Sequence, residues 1–283
     1  MSCHISSEKL NSPLLKELLS KLTSYFSSIH SDFYVIGATA RDIILTAVHE
    51  QEVKRSTSDL DIAIAIPDWA QFESISIGLC QIDGFEKSKE QQQRFIYNKV
   101  YLLDIVPFGA IAKDDNAIYW PPEGDVAMSV LGFTEATNDI LEVIIDAEFS
   151  VRVVQLPGIF LLKLNAFKDR HLTNNKDADD IAYILSNYLE ANENRAIENY
   201  YSEIYDVENF QTFTAGATLL GKDIRALLGR NQDTLDSFIE ILQSEIEQEE
   251  ESVLINQMLE TYSSLEYEEV EGALQCLLNE MKS

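Results

Sequence analysis

The stretch Ser58-Asp59-Leu60-Asp61-Ile62-Ala63-Ile64-Ala65-Ile66 constrains the fold more than any other part of the chain. Side chains alternate across a strand, so Leu60, Ile62, Ile64 and Ile66 share one face while Asp59 and Asp61 share the other. The apolar face needs a layer to bury it. Two like charges on the opposite face repel, and such a pair needs a counter-ion. Mg²⁺ or Mn²⁺ suits the role, because these hard cations take oxygen ligands and are held by one or two carboxylates together with substrate phosphates. A third acid, Asp104, lies in the Ile/Leu/Val-rich run Val100–Val106. If the two strands are neighbours, Asp59, Asp61 and Asp104 converge on one or two cations. Such a site can activate an attacking oxygen and neutralise a leaving pyrophosphate. The plainer reading of the isolated pair is a strand end with two solvated acids.

Upstream, the apolar run 33–36 opens into Gly37-Ala38-Thr39-Ala40-Arg41-Asp42, and a short helical stretch covers 40–49. A glycine at a strand-to-helix turn lets backbone approach closely, and a helix N-terminus there favours phosphate. Arg41 adds a guanidinium suited to phosphate oxygens. Singly, Gly37 is a turn and Arg41 a surface ion-pair partner. With Ser58, Asp59 and Asp61 the pieces read as a triphosphate cradle facing a metal.

Periodicity divides the chain near residue 156. Before it, an amphipathic helix over 8–30 carries Leu10, Leu14, Leu15, Leu18, Leu19, Leu22 and Phe26 at helical spacing, and a second covers 68–80. Strand-like runs fall at 33–36, 60–66, 94–97, 100–106 and 141–145. Beyond it the pattern is helical: Pro157–Arg170, Asp177–Leu189, 217–229, 232–247, 253–262 and 267–281. The expectation is an α+β domain over 1–155, a small mixed sheet flanked by helices, followed by an all-helical domain over 156–283. Lys163, Phe167 and Arg170 fall on one helix face in the densest basic patch of the chain. Lys163 otherwise reads as a snorkelling surface residue, and Asp177 as a helix N-cap. Tyr119-Trp120-Pro121-Pro122 reads as a rigid loop that either stacks a base or, more simply, packs into the core.

The formal net charge is −27, which disfavours broad binding to nucleic acid. Residues 231–283 hold 14 acidic residues and one lysine, an exposed face or a docking surface for a basic partner. Cys3, Cys80 and Cys276 are too few and too scattered for a disulfide framework or a zinc site. No run approaches a membrane span, and the start lacks the pattern of a secretion signal. A cytoplasmic chain with free thiols is expected.

The order strand, Gly37–Asp42 turn, helix, Asp59-x-Asp61 strand, Asp104 strand resembles the DNA polymerase β-type nucleotidyltransferases. The Gly-x-x-x-Arg-Asp form is similar to the turn of poly(A) polymerases and CCA-adding enzymes. Residues 156–170 and 174–185 look more like the helical lysine motif and the Lys-Asp-x-x-Asp motif of the AbiEii/AbiGii toxin branch. The likeness spans roughly 33–185, with Ala38 standing where those families have Gly or Ser. It implies a nucleotidyltransferase fold with Asp59, Asp61 and Asp104 as ligands of Mg²⁺ or Mn²⁺. It implies triphosphate contacts from Gly37, Ala38, Thr39, Arg41 and Ser58. Lys163 would reach the nucleotide phosphates, and Lys176, Asp177 and Asp180 would shape the far wall. The implied activity moves a nucleoside monophosphate from an NTP to a hydroxyl of an RNA end such as that of tRNA, a protein or a small molecule. A cognate antitoxin would be the partner. The alternative is a catalytically silent relative that binds nucleotide or protein.

Overall fold

The computed structural model describes residues 2–10, 12–49, 59–122, 124 and 127–283. They divide into two compact units, Met1–Gln155 and Leu156–Ser283.

The first unit runs β1 (Ser2–Ile5), α1 (Pro13–Ser28), β2 (Tyr34–Ile36), α2 (Gly37–Asp42) and a π-helical run Ile43–Val48. It continues with β3 (Asp59–Ala65), α3 (Trp69–Cys80), β4 (Phe85–Lys87), β5 (Arg94–Tyr97) and β6 (Tyr101–Phe108). Then come β7 (Ala117–Tyr119), β8 (Ala127–Ser129), α4 (Phe133–Ala136), β9 (Ile140–Ile145) and β10 (Phe149–Val154). The described strands form a mixed eight-stranded sheet, β1-β9-β10-β2-β3-β6-β5-β4, and a separate β7-β8 ribbon. The pairs β1/β9, β10/β2 and β3/β6 are parallel and the other neighbours antiparallel.

Local chemistry sets most boundaries. The helix expected over 8–30 starts at Pro13, whose fixed φ suits a first helical position, and the Ser12 hydroxyl caps it by accepting from the Leu14 amide. Its buried stripe is Leu15, Leu18, Leu19, Leu22 and Phe26. Before it, Ser7–Lys9 form a 3-10 turn, preceded by β1, a short polar segment whose pairing with the distant β9 decides its state. Asp68 caps α3 through the Gln71 amide. Trp120 is buried against Trp69 and Phe72, with ring centroids 4.9 and 5.4 Å away, so this part of the aromatic loop packs into the core.

The second unit is helical: α5 (Leu156–Arg170), α6 (Lys176–Ala191), α7 (Glu193–Ile204), α8 (Thr212–Leu228), α9 (Gln232–Glu247), α10 (Val253–Thr261) and α11 (Tyr267–Lys282). Leu219, Leu220, Ile224, Leu274 and Leu277 lie fully buried in its core. Gly221 allows α8 to approach α11 closely, since a Cβ there would sit 2.6 Å from the Leu277 carbonyl. Within the acidic run, Glu245 caps α10 by accepting from Leu254 N–H and the Ser252 hydroxyl. Glu247, Glu249, Glu250 and Glu251 are exposed. Among the described residues no helix is long and apolar enough to cross a membrane.

Candidate active site

The sheet of the first unit assembles the acids by register. Asp61 pairs with Asp104 across the parallel β3/β6 ladder, with Ile36 on its other side and Arg94 beyond Asp104. Four neighbouring strands therefore place Ile36, Asp61, Asp104 and Arg94 in one row. Asp59 precedes Asp61 by two residues and shares its face. All three carboxylates are half-buried, while Leu60, Ile62 and Ile64 behind them are fully buried.

The row ends in an ion pair that the sequence reading leaves out. Arg94 grips Asp104 with both arms of its fork, Nε to Oδ1 at 2.8 Å and Nη2 to Oδ2 at 2.7 Å. The Asp104 hydrogen bond holds the Arg94 guanidinium above its ordinary pKa against the opposing effect of burial, and the charges of Asp104, Asp59 and Asp61 add to it. A signal for this pair exists in the sequence. A tight hairpin between the runs 94–97 and 100–106 that pairs Tyr97 with Tyr101 necessarily pairs Arg94 with Asp104.

The turn before α2 meets the row at Asp61. Gly37 has φ +67°, a left-handed backbone that L-residues avoid. A Cβ at Gly37 would fall on the Asp61 carboxylate and lie 3.1 Å from Asp61 Cβ. Helix α2 begins there without a side-chain cap from Ile36.

The other residues of the turn face inward. Ala38 is buried. Thr39 is buried as well and donates its hydroxyl to the Asp59 carbonyl at 2.9 Å, which ties α2 to the start of β3. Arg41, expected on the phosphates, is 0% exposed and bonds the Asp42 carboxylate through Nε at 2.8 Å and Nη2 at 2.5 Å. In this structure its guanidinium serves the interior, where burying a charge demands a partner. Tyr101, at the start of β6, has its phenol pushed up to about 12 by burial, helped by the nearby Asp59 charge. Ser58 lies outside the described residues.

No group of three or more His, Cys, Asp or Glu side chains is clustered as a ready-made metal site among the described residues. The donor set nonetheless fits a hard divalent cation in part. Asp59 and Asp61 offer carboxylate oxygens on one strand face, whereas both oxygens of Asp104 are turned to Arg94.

The second unit gathers the remaining expected residues. Lys163 on α5 lies 3.2 Å from Asp177 Oδ1 and 2.7 Å from Asp180 Oδ2, both acids being on α6. Arg170, two turns along α5, bonds Asp177 through Nε at 2.6 Å and Nη2 at 2.9 Å. Asp177 is 2% exposed and sits inside the first turn of α6, where the helix dipole favours an acid; Asn175 takes the cap position. Burial alone would raise the Asp177 carboxyl, but the Arg170 hydrogen bond and the Lys163 and Arg170 charges hold it below its ordinary value. The one-face placement of Lys163 and Arg170 thus serves a shared ion network. Lys176 is exposed.

The profile of the family described as nucleotidyl transferase AbiEii toxin, type IV toxin–antitoxin system, matches residues 22–274, and the chain belongs to that family. It is accordingly a transferase of nucleotidyl groups. The chain has a distant similarity to the solution structure of the antibiotic-resistance factor ANT(2'')-Ia. That likeness has 15% identity and a TM-score of 0.36, covering 65% of this chain and 86% of that one. No curated protein matches.

Proposed function

We propose that this chain transfers a nucleoside monophosphate from an NTP to an acceptor hydroxyl, with Asp59 and Asp61 holding a divalent cation. The observation that carries this reading is the row itself: Asp61 and Asp104 side by side in register, with Asp59 on the same face and Gly37 against Asp61. In the reaction the acceptor oxygen forms a bond to the α-phosphorus. The bond from that phosphorus to the bridging oxygen breaks, pyrophosphate leaves with the electron pair, and the acceptor proton passes to solvent. Mg²⁺ or Mn²⁺ bound at this pair would supply positive charge against the triphosphate oxygens. Gly37 lets the Asp61 carboxylate lie against the turn, and Thr39 fixes the Asp59 main chain through its 2.9 Å bond. The acceptor belongs to the class of RNA ends, protein hydroxyls or small hydroxylated molecules. Family membership supports a toxin role opposed by a cognate antitoxin.

The test is incorporation of label from each α-labelled NTP into a cell lysate, with and without Mg²⁺. The Asp59→Asn/Asp61→Asn variant should lose transfer by roughly a thousandfold while its circular dichroism stays native. Transfer that persists in this variant, or that ignores chelation, sinks the reading.

A further inference from the structure

We propose that Arg94 is the phosphate-binding cation of the acid row, and that Asp104 positions it instead of serving as a metal ligand. The inference rests on the nucleotidyl-transfer reading above. Its first support is geometry. A guanidinium has five N–H donors in a rigid plane, and Asp104 takes one from Nε and one from Nη2. Three remain, with no hydrogen-bond partner among the described residues. A bidentate clamp fixes the plane of the fork, and a fixed fork loses little freedom when it takes up phosphate oxygens.

The second support is the cost of breaking that pair. Recruiting Asp104 to a cation would break two charge-assisted bonds and strand a guanidinium whose side chain is only 27% exposed.

The third support is position. Arg41, the cation expected for phosphate, is buried on Asp42. Arg94 stands in the row itself, one strand from Asp104 and two from Asp61, and it feels the charges of both Asp59 and Asp61.

Two titrations on the full chain separate the roles. Mn²⁺ binding is followed by the electron paramagnetic resonance of the free ion. Binding of inorganic tripolyphosphate is followed by calorimetry, with and without Mn²⁺. Arg94→Gln should weaken tripolyphosphate binding by about tenfold or more, and Arg94→Lys should recover part of it. Asp104→Asn should weaken tripolyphosphate binding but leave Mn²⁺ affinity unchanged, whereas Asp59→Asn/Asp61→Asn loses Mn²⁺. A misfolded site would lose both ligands together. Since Arg94→Gln leaves Asp104 unmatched, Arg94→Gln/Asp104→Asn, whose amides can bond each other, must repeat the phosphate loss. The proposal is overturned if Asp104→Asn loses Mn²⁺ as fully as the double aspartate variant. It is equally overturned if Arg94→Gln keeps wild-type tripolyphosphate affinity, or if the wild type binds no tripolyphosphate. Failure of the wild type to bind Mn²⁺ would instead count against the metal in the functional reading, and the tripolyphosphate titration would still decide Arg94.

Discussion

Gly37→Ala is the sharpest single test of how the turn and the acid row fit together. The substitution adds one carbon in a backbone conformation with φ +67° and directs it onto the Asp61 carboxylate. The left-handed conformation costs an L-residue roughly 1–2 kcal/mol. Asp61 cannot yield by swinging its tip alone, because its Cγ and Cβ lie 3.0 and 3.1 Å from the added carbon. Forcing the side chain off its rotamer adds about 0.5–1.5 kcal/mol. Together the two effects reach about 1.5–3.5 kcal/mol, a fall in melting temperature of ~3–14 °C for a unit of this size. Nucleotidyl transfer should fall further than the loss of folded protein explains, since the displaced group is a proposed ligand. Thermal denaturation and transfer are measured together, with Gly272→Ala as control. A Cβ at Gly272, inside α11, meets nothing within 4 Å, so that variant should match or exceed wild-type stability by up to about 1 kcal/mol. Wild-type melting and full transfer in Gly37→Ala would refute the contact between turn and acid.

Three further outcomes are expected. Lys163→Met removes the ammonium 2.7 Å from Asp180, which is 0% exposed, and should cost about 3–5 kcal/mol in urea denaturation; adding Asp180→Asn should restore part of it. Asp177 is held below its ordinary carboxyl value of 3.8, so its stabilisation is complete above that pH and is lost as pH falls through the lower folded value. Asp177→Asn should flatten that part of an acid denaturation curve, and an unchanged curve would show that the Lys163/Arg170 network does not titrate with folding. Thr39→Val deletes the bond to the Asp59 carbonyl and should cost about 1 kcal/mol and lower transfer, while Thr39→Ser stays near wild type.

The sequence by itself determined the elements whose pattern is local. Alternation over 60–66 placed Asp59 and Asp61 on one face of a strand with three buried aliphatic side chains behind them. Helical spacing set α9 at its observed limits and put Lys163 and Arg170 on one face. Both results follow from repeats of two and 3.6 residues, which need no knowledge of the rest of the chain. The tertiary structure decided what each charge meets. Strand order brought Asp104 beside Asp61, and the β5/β6 hairpin delivered Arg94 to Asp104. Packing turned Arg41 inward onto Asp42 and gave Thr39 a structural bond. Partner choice is non-local because a charge leaving water takes whatever opposite charge the fold brings within reach. The sequence could thus show that Asp59 and Asp61 need a counter-charge, but only the sheet shows that Asp104 already has its own.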